Sequence, residues 1–216
     1  MPGRPMLKAT IVALVLTTAA TIGPARAAPD AIAPAPVDLA PVDLAPVDLA
    51  NVNRMDRDAF VANFGSVFEH SPWVAWRAWA ARPFASRDAL HDAMVAMVRE
   101  ASPAEVRALL NAHPELAGPE ARGRQMTDAS VSEQGSAGLD RMSPAEFDRF
   151  DHLNAAYRAR FGFPFIIAVR GRGRAEILRE FERRLAHSPT AELEAALAEI
   201  AAITRMRLER RVTAGP

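Results

Sequence analysis

From about residue 56 onward, apolar residues recur at steps of three and four, the period of helices that bury one face. Asp56 to Phe68 carries Phe60, Phe64 and Phe68 at successive four-residue steps. Pro72 opens a Trp-rich segment through Trp73, Trp76 and Trp79 that ends near Pro83. Leu90, Met94, Met97 and Val98 stripe a third helix. Ser102-Pro103-Ala104-Glu105 then combines an N-cap serine, a first-turn proline and a glutamate that reaches back, a capping box that starts a helix through Val106, Leu109 and Leu110 and ends at His113-Pro114. Ser143-Pro144-Ala145-Glu146 repeats the signal before Phe147, Phe150, Leu153 and Tyr157, with a stop near Gly162-Phe163-Pro164. Ala175 to Ala186 and Thr190 to Leu208 close the chain as two more amphipathic helices. Two stretches break the period. Gly118 to Ala137 reads as a polar loop, and Phe163 to Val169 is a dense apolar run, extended at least at its proline. The pattern predicts an all-α, compact, multi-helix single domain, with functional groups on the irregular stretches.

The first fifty residues follow other rules. Arg4 and Lys8 precede an almost uncharged run from Ala9 to Ile22, and Ala25-Arg26-Ala27 offers a small-residue cleavage site before Ala28. Residues 1–27 therefore read as a signal peptide, too short in its apolar part for a comfortable membrane span. The mature protein is expected to be periplasmic or secreted, without stable membrane insertion. If the true start lies further along, the address becomes cytoplasmic. Residues 28–50 form a low-complexity tether containing Ala-Pro-Val-Asp-Leu three times in tandem. Its prolines block a continuous helix, and a spacer is the expected role. The folded body is placed at residues 51–216.

Composition narrows the chemistry. The 216 residues include 26 basic and 26 acidic side chains and no cysteine, so thiolate nucleophiles, disulfides and cysteine-based zinc sites are excluded. The zero net charge is the sum of a +3 leader, a −4 tether and a +1 body, which gives no basic footprint for nucleic acid. Of the histidines, His91, His152 and His187 lie among helical charges and are expected on the solvated surface, whereas His70 and His113 flank helix ends. Glu69, Glu115 and Glu133 beside them lack metal-ligand spacing, and no metal is expected. No serine-nucleophile elbow or nucleotide-binding glycine fingerprint occurs.

Four stretches, in order, resemble the 2-oxo-4-hydroxy-4-carboxy-5-ureidoimidazoline (OHCU) decarboxylase family: Phe68 to Ala75, Ala112 to Gly118, Ser132-Glu133-Gln134 with Ala137 to Asp140, and Leu153 to Gly171. The resemblance covers about Asp56 to Val212. It implies a lyase that forms (S)-allantoin from a product of urate, within purine catabolism. It also implies a small-molecule substrate, a homodimer, and catalysis without metal or organic cofactor. By the same resemblance His113 is the catalytic acid and Glu133 belongs to the polar loop that holds the substrate; the chemistry also asks for a carboxylate close enough to set the tautomer of His113 or raise its pKa, and Glu133 is the expected one. Pro114, Ser130 and Gln134 contact substrate, and Phe165, Ile166, Ile167, Ala168 and Val169 line the pocket with their backbone. Arg170 follows as the expected carboxylate partner, and Glu69-His70-Ser71-Pro72 is expected to border the site. The competing readings are an inactive helical binding module and a decarboxylase of another small ureido or imidazoline acid.

Overall fold

The computed structural model describes residues 45–123 and 125–213. The expected signal peptide and the expected tether as far as residue 44 lie outside the described residues. The helices, in order, are α1 (Leu49–Arg54), α2 (Arg57–Phe64), α3 (Pro72–Ala78), α4 (Arg87–Arg99), α5 (Pro103–Asn111), α6 (Pro119–Arg122), α7 (Asp128–Ser136), α8 (Pro144–Phe161), α9 (Arg174–Leu185) and α10 (Pro189–Arg211). A 3₁₀ turn, Trp79–Ala81, extends α3. Among the described residues, no helix is long and apolar enough to cross a membrane.

The Ser-Pro punctuation at Ser102 and Ser143 acts as read, and the same device at Ser188-Pro189 starts the last helix one residue before the expected Thr190. Ser102, Ser143 and Ser188 each accept a backbone N–H of the first turn, with proline at the next position, and α5 and α8 have complete capping boxes. Gly162, at φ 76°, ends α8 in the left-handed conformation that favours glycine. The buried stripes of α2, α3 and α4 meet through Phe60, Phe64, Val74, Leu90 and Met94, and α10 packs on α2 and α4 through Ile200 and Leu208.

A second aromatic cluster joins α8 and α9 to the segment between them. Tyr157 touches Phe161, Phe163, Phe165 and Phe181, and Phe165 stacks on Phe181 at 3.9 Å between ring centroids. These rings pin the 163–169 strap, which is buried and outside any helix or strand.

Three observations depart from the sequence reading. The tether's last unit belongs to the fold: Val47 pairs with Val212, and Asp48 caps α1. The polar loop contains α6 and α7. Helix α7 is poor in helix-forming apolar residues but is started by Thr127, whose side chain accepts the Ser130 N–H. Its buried face is polar, formed by Ser130, Glu133 and Gln134. Finally, His91 is buried between α4 and α10, with Nε2 3.0 Å from the Ala201 carbonyl and 3.1 Å from the Thr204 hydroxyl. Its neighbours along the chain are charged, but its helical face is that of Leu90 and Met94.

Candidate active site

A cavity of about 360 Å³, open mouth included, lies where the end of α5, helix α7, the strap and helix α10 converge. His113 and Pro114 come from the end of α5, and Ser130, Glu133 and Gln134 from the polar face of α7. Phe165, Ile166, Ile167 and Val169 form an apolar wall, and Arg207 and Ile203 close the far side from α10. The residues that the resemblance named are thus gathered from distant parts of the chain, with exceptions. Arg170 is exposed and does not line the cavity. Ala168 is buried in the strap but turns its N–H to Glu199, 2.9 Å away. His70 is also exposed, although its neighbour Glu69 is buried at the site.

The cation of this site is Arg207, which the sequence reading missed. Nε and Nη2 grip the Glu133 carboxylate at 3.0 and 2.9 Å, and Nη1 donates to Glu69 at 2.7 Å. Longer contacts reach the Ser130 hydroxyl at 3.3 Å and the Val67 carbonyl at 3.4 Å. Glu69 also accepts from the hydroxyls of Thr127 at 2.6 Å and Ser130 at 3.2 Å. Burial opposes charge on all three ions, but the pairing is two carboxylates on one guanidinium in a forked geometry, and it prevails. Burial alone would raise the Glu69 pKa, yet the Arg207 charge and the Thr127 hydrogen bond hold it below the usual carboxylate range. Likewise Arg207 stays charged, raised by Glu133 and Glu69 against its desolvation.

His113 closes α5. Its Nδ1 lies 2.9 Å from the Leu109 carbonyl, which fixes that nitrogen as the N–H donor and leaves Nε2 buried without a partner. The tautomer is therefore set by the backbone of its own helix rather than by Glu133. Burial is the largest influence and lowers its pKa, while Glu69 and the Leu109 carbonyl push the other way. The helix C-terminus favours imidazolium by only about 0.3–2 kcal/mol, and desolvation outweighs it. At rest the ring is neutral, with the bare Nε2 beside the cavity that it lines.

The turn after His113 is fixed from two helices. Gln134 accepts the Ala117 N–H at 2.9 Å and donates to the Glu115 carbonyl at 3.3 Å, so its amide holds the turn in this structure. Asn154 of α8 donates to the Leu116 carbonyl at 3.0 Å, and Arg158 pairs with Glu115 at 2.8 Å. Ala117 at φ 53° and His70 at φ 44° take left-handed backbone conformations next to the site. Such conformations cost non-glycine residues about 1–2 kcal/mol each, and the surrounding bonds hold them.

The arrangement offers a proton-accepting nitrogen, a guanidinium between two carboxylates, and an apolar wall. A family model described as OHCU decarboxylase matches residues 53–209. The chain is 46% identical over 160 residues to the 2-oxo-4-hydroxy-4-carboxy-5-ureidoimidazoline decarboxylase of Haloferax volcanii, covering 74% of this chain and 93% of that protein. It is 39% identical over 163 residues to the uric acid degradation bifunctional protein of Bacillus subtilis, covering 76% of this chain and 32% of that one. Among solved structures, an OHCU decarboxylase in the presence of (S)-allantoin aligns with a TM-score of 0.53 and 25% identity, over 71% of this chain and 96% of that chain.

Proposed function

The chain belongs to the OHCU decarboxylase family, and from that premise we propose that it converts 2-oxo-4-hydroxy-4-carboxy-5-ureidoimidazoline to (S)-allantoin in urate degradation. The observation that carries the assignment of roles is the unpartnered His113 Nε2, in the same cavity as the Arg207–Glu133 pair.

The substrate's C4 is saturated, bearing hydroxyl and carboxyl groups, so the ring C=N includes C5. When the bond from C4 to its carboxylate breaks, carbon dioxide leaves and the electron pair passes into C4–C5 and on to the ring nitrogen. The ring is its own electron sink. His113 Nε2 accepts the C4 hydroxyl proton as that carbon becomes a carbonyl, then donates it to one face of C5, while the ring nitrogen takes a proton from solvent. One face of C5 meets the imidazole, so one enantiomer forms. Arg207 takes the anion-holding role expected of Arg170, giving up its long contact to Ser130 for a substrate oxygen. Glu133 keeps the guanidinium fork oriented. The apolar wall favours departure of the carboxylate as neutral carbon dioxide, because charge disperses as the bond breaks.

The test is direct: the short-lived substrate is generated from urate in situ, and allantoin formation is followed by circular dichroism. Purified protein is expected to accelerate appearance of the (S) signal. A trace matching the protein-free control would sink the assignment.

The electrostatics add a pH prediction. Because Glu69 raises the His113 pKa, Glu69→Gln lowers it further. The neutral ring is the working form, so the rate falls as pH drops through that pKa. In Glu69→Gln this acid limb is expected at lower pH than in wild type, together with a reduced maximal rate from the loosened Arg207. A limb that stays in place or moves up would separate Glu69 from His113.

Export and assembly complete the proposal. Residues 1–27 are removed near Ala27-Ala28 and the mature enzyme is periplasmic or secreted, a reading supported by the charged start, apolar run and cleavage pattern. Amino-terminal sequencing of the mature protein tests it. A homodimer, as implied by the family, is tested by light scattering.

A further inference from the structure

We infer that Glu199 and Arg184 are positioning residues for the cavity wall: they set the two peptide planes on either side of Ile167, so that its N–H and C=O face the substrate. The inference rests on the ureidoimidazoline reading above.

The strap 163–169 has no helical or sheet partner, so its main-chain groups need other hydrogen bonds. Arg184 of α9, buried and bound to Glu192, donates through Nη1 to the Ile166 carbonyl at 2.8 Å and lays its guanidinium on the Phe165 ring at 4.6 Å. Glu199 of α10 accepts the Ala168 N–H at 2.9 Å. Neither Arg184 nor Glu199 lines the cavity, whereas Ile167 does.

In a planar trans peptide, C=O and N–H point in opposite directions. Anchoring the Ile166 carbonyl on Arg184 therefore turns the Ile167 N–H the other way. Anchoring the Ala168 N–H on Glu199 does the same for the Ile167 carbonyl. Ile167 thus presents a donor and an acceptor side by side, and neither has a hydrogen-bond partner among the described residues. A donor next to an acceptor is the complement of an amide edge, the chemistry of a ureido group or a ring lactam. Tyr157 and Glu192 brace Arg184 from behind: the Tyr157 hydroxyl donates to the Glu192 carboxylate that holds the guanidinium.

Glu199 is the better probe because it is only partly buried, and its second oxygen meets Arg172 at 3.2 Å. Glu199→Ala removes the acceptor, Glu199→Gln keeps a carbonyl that accepts the Ala168 N–H, and Arg172→Met removes the ion pair with Glu199, and a longer one with Glu176, while sparing the Glu199 acceptor. Loss of one oriented hydrogen bond predicts a KM raised about tenfold in Glu199→Ala, with kcat changed much less. The Gln variant is expected to recover most of the loss, and Arg172→Met to match wild type. In parallel, amide hydrogen exchange of the peptide covering residues 163–170 is expected to quicken in the Ala variant and not in the Gln variant. A KM for Glu199→Ala within twofold of wild type, a Gln variant as impaired as Ala, or unaltered exchange would overturn the inference. Should wild-type protein be inert toward the ureidoimidazoline, the functional reading falls instead, and the exchange series still decides whether Glu199 holds the wall.

Discussion

Replacing Arg207 with methionine is expected to abolish measurable turnover and to destabilise the fold by about 3–5 kcal/mol, the usual cost of leaving a buried ion without its partner. Methionine keeps the aliphatic stem of the side chain but leaves Glu69 and Glu133 facing each other in a buried site without the guanidinium that neutralised both. Denaturant titration at several pH values separates charge from packing. The two carboxylates can escape repulsion by taking up protons, so the destabilisation shrinks as the solution is acidified. A cavity defect would be indifferent to pH. Arg207→Lys is expected to lie between, since an ammonium supplies charge but not the fork that spans both glutamates. Full activity in the methionine variant would remove Arg207 from the chemistry.

Substituting His113 by alanine should have an equally large effect on rate with a much smaller one on the fold. A proton-transfer group at the reacting centre typically contributes about 10²–10⁴-fold, and among the described residues the side chain bonds only to its own helix, at the Leu109 carbonyl. Allantoin still accumulates by spontaneous decay of the substrate, but without enantiomeric excess. Polarimetric and absorbance traces, which coincide for the wild type, should therefore diverge. A chiral product at the wild-type rate would place the proton donor elsewhere. His113 also contributes to pH dependence of stability. Its folded pKa lies below the ordinary value of 6.5, so the unfolded chain binds more protons as pH falls below neutrality. The histidine's contribution is fully present above pH 6.5 and is lost on acidification through the folded pKa.

Much of this was written in local signals. Ser102-Pro103 and Ser143-Pro144 announce helix starts because a serine acceptor and a preset φ act within a few residues. The break at Gly162-Phe163-Pro164 likewise marked the strap. Helix α7 escaped notice because its buried face is polar. Ser130, Glu133 and Gln134 stand at the i, i+3, i+4 spacing of a helix, but the rule that reads such stripes looks for apolar residues. Arg207 was hidden by distance, meeting Glu133 across 74 positions and Glu69 across 138. A faint signal existed: Ile200, Ile203 and Arg207 are spaced as one helical stripe, so the arginine occupies a position that the pattern reserves for the core. Arg170 adjoins the wall in sequence, yet the chain turns at Gly171, φ 80°, and leaves its side chain in solvent. The same confusion of neighbours in sequence with neighbours in space put His91 on the surface.

The contacts of α10 also govern when the enzyme comes into being. As the chain grows from its amino terminus, α2, α3 and α4 can close on one another early, since their partners lie near in sequence. The Glu69 and Glu133 carboxylates must wait for a guanidinium from the last helix, and the pairing of Val47 with Val212 completes still later. Until then the two acids lack the guanidinium that pairs with both, and burying them unpaired would be costly. The cavity is therefore finished only once α10 has been made, so a nascent chain that stops short of Arg207 carries no finished site.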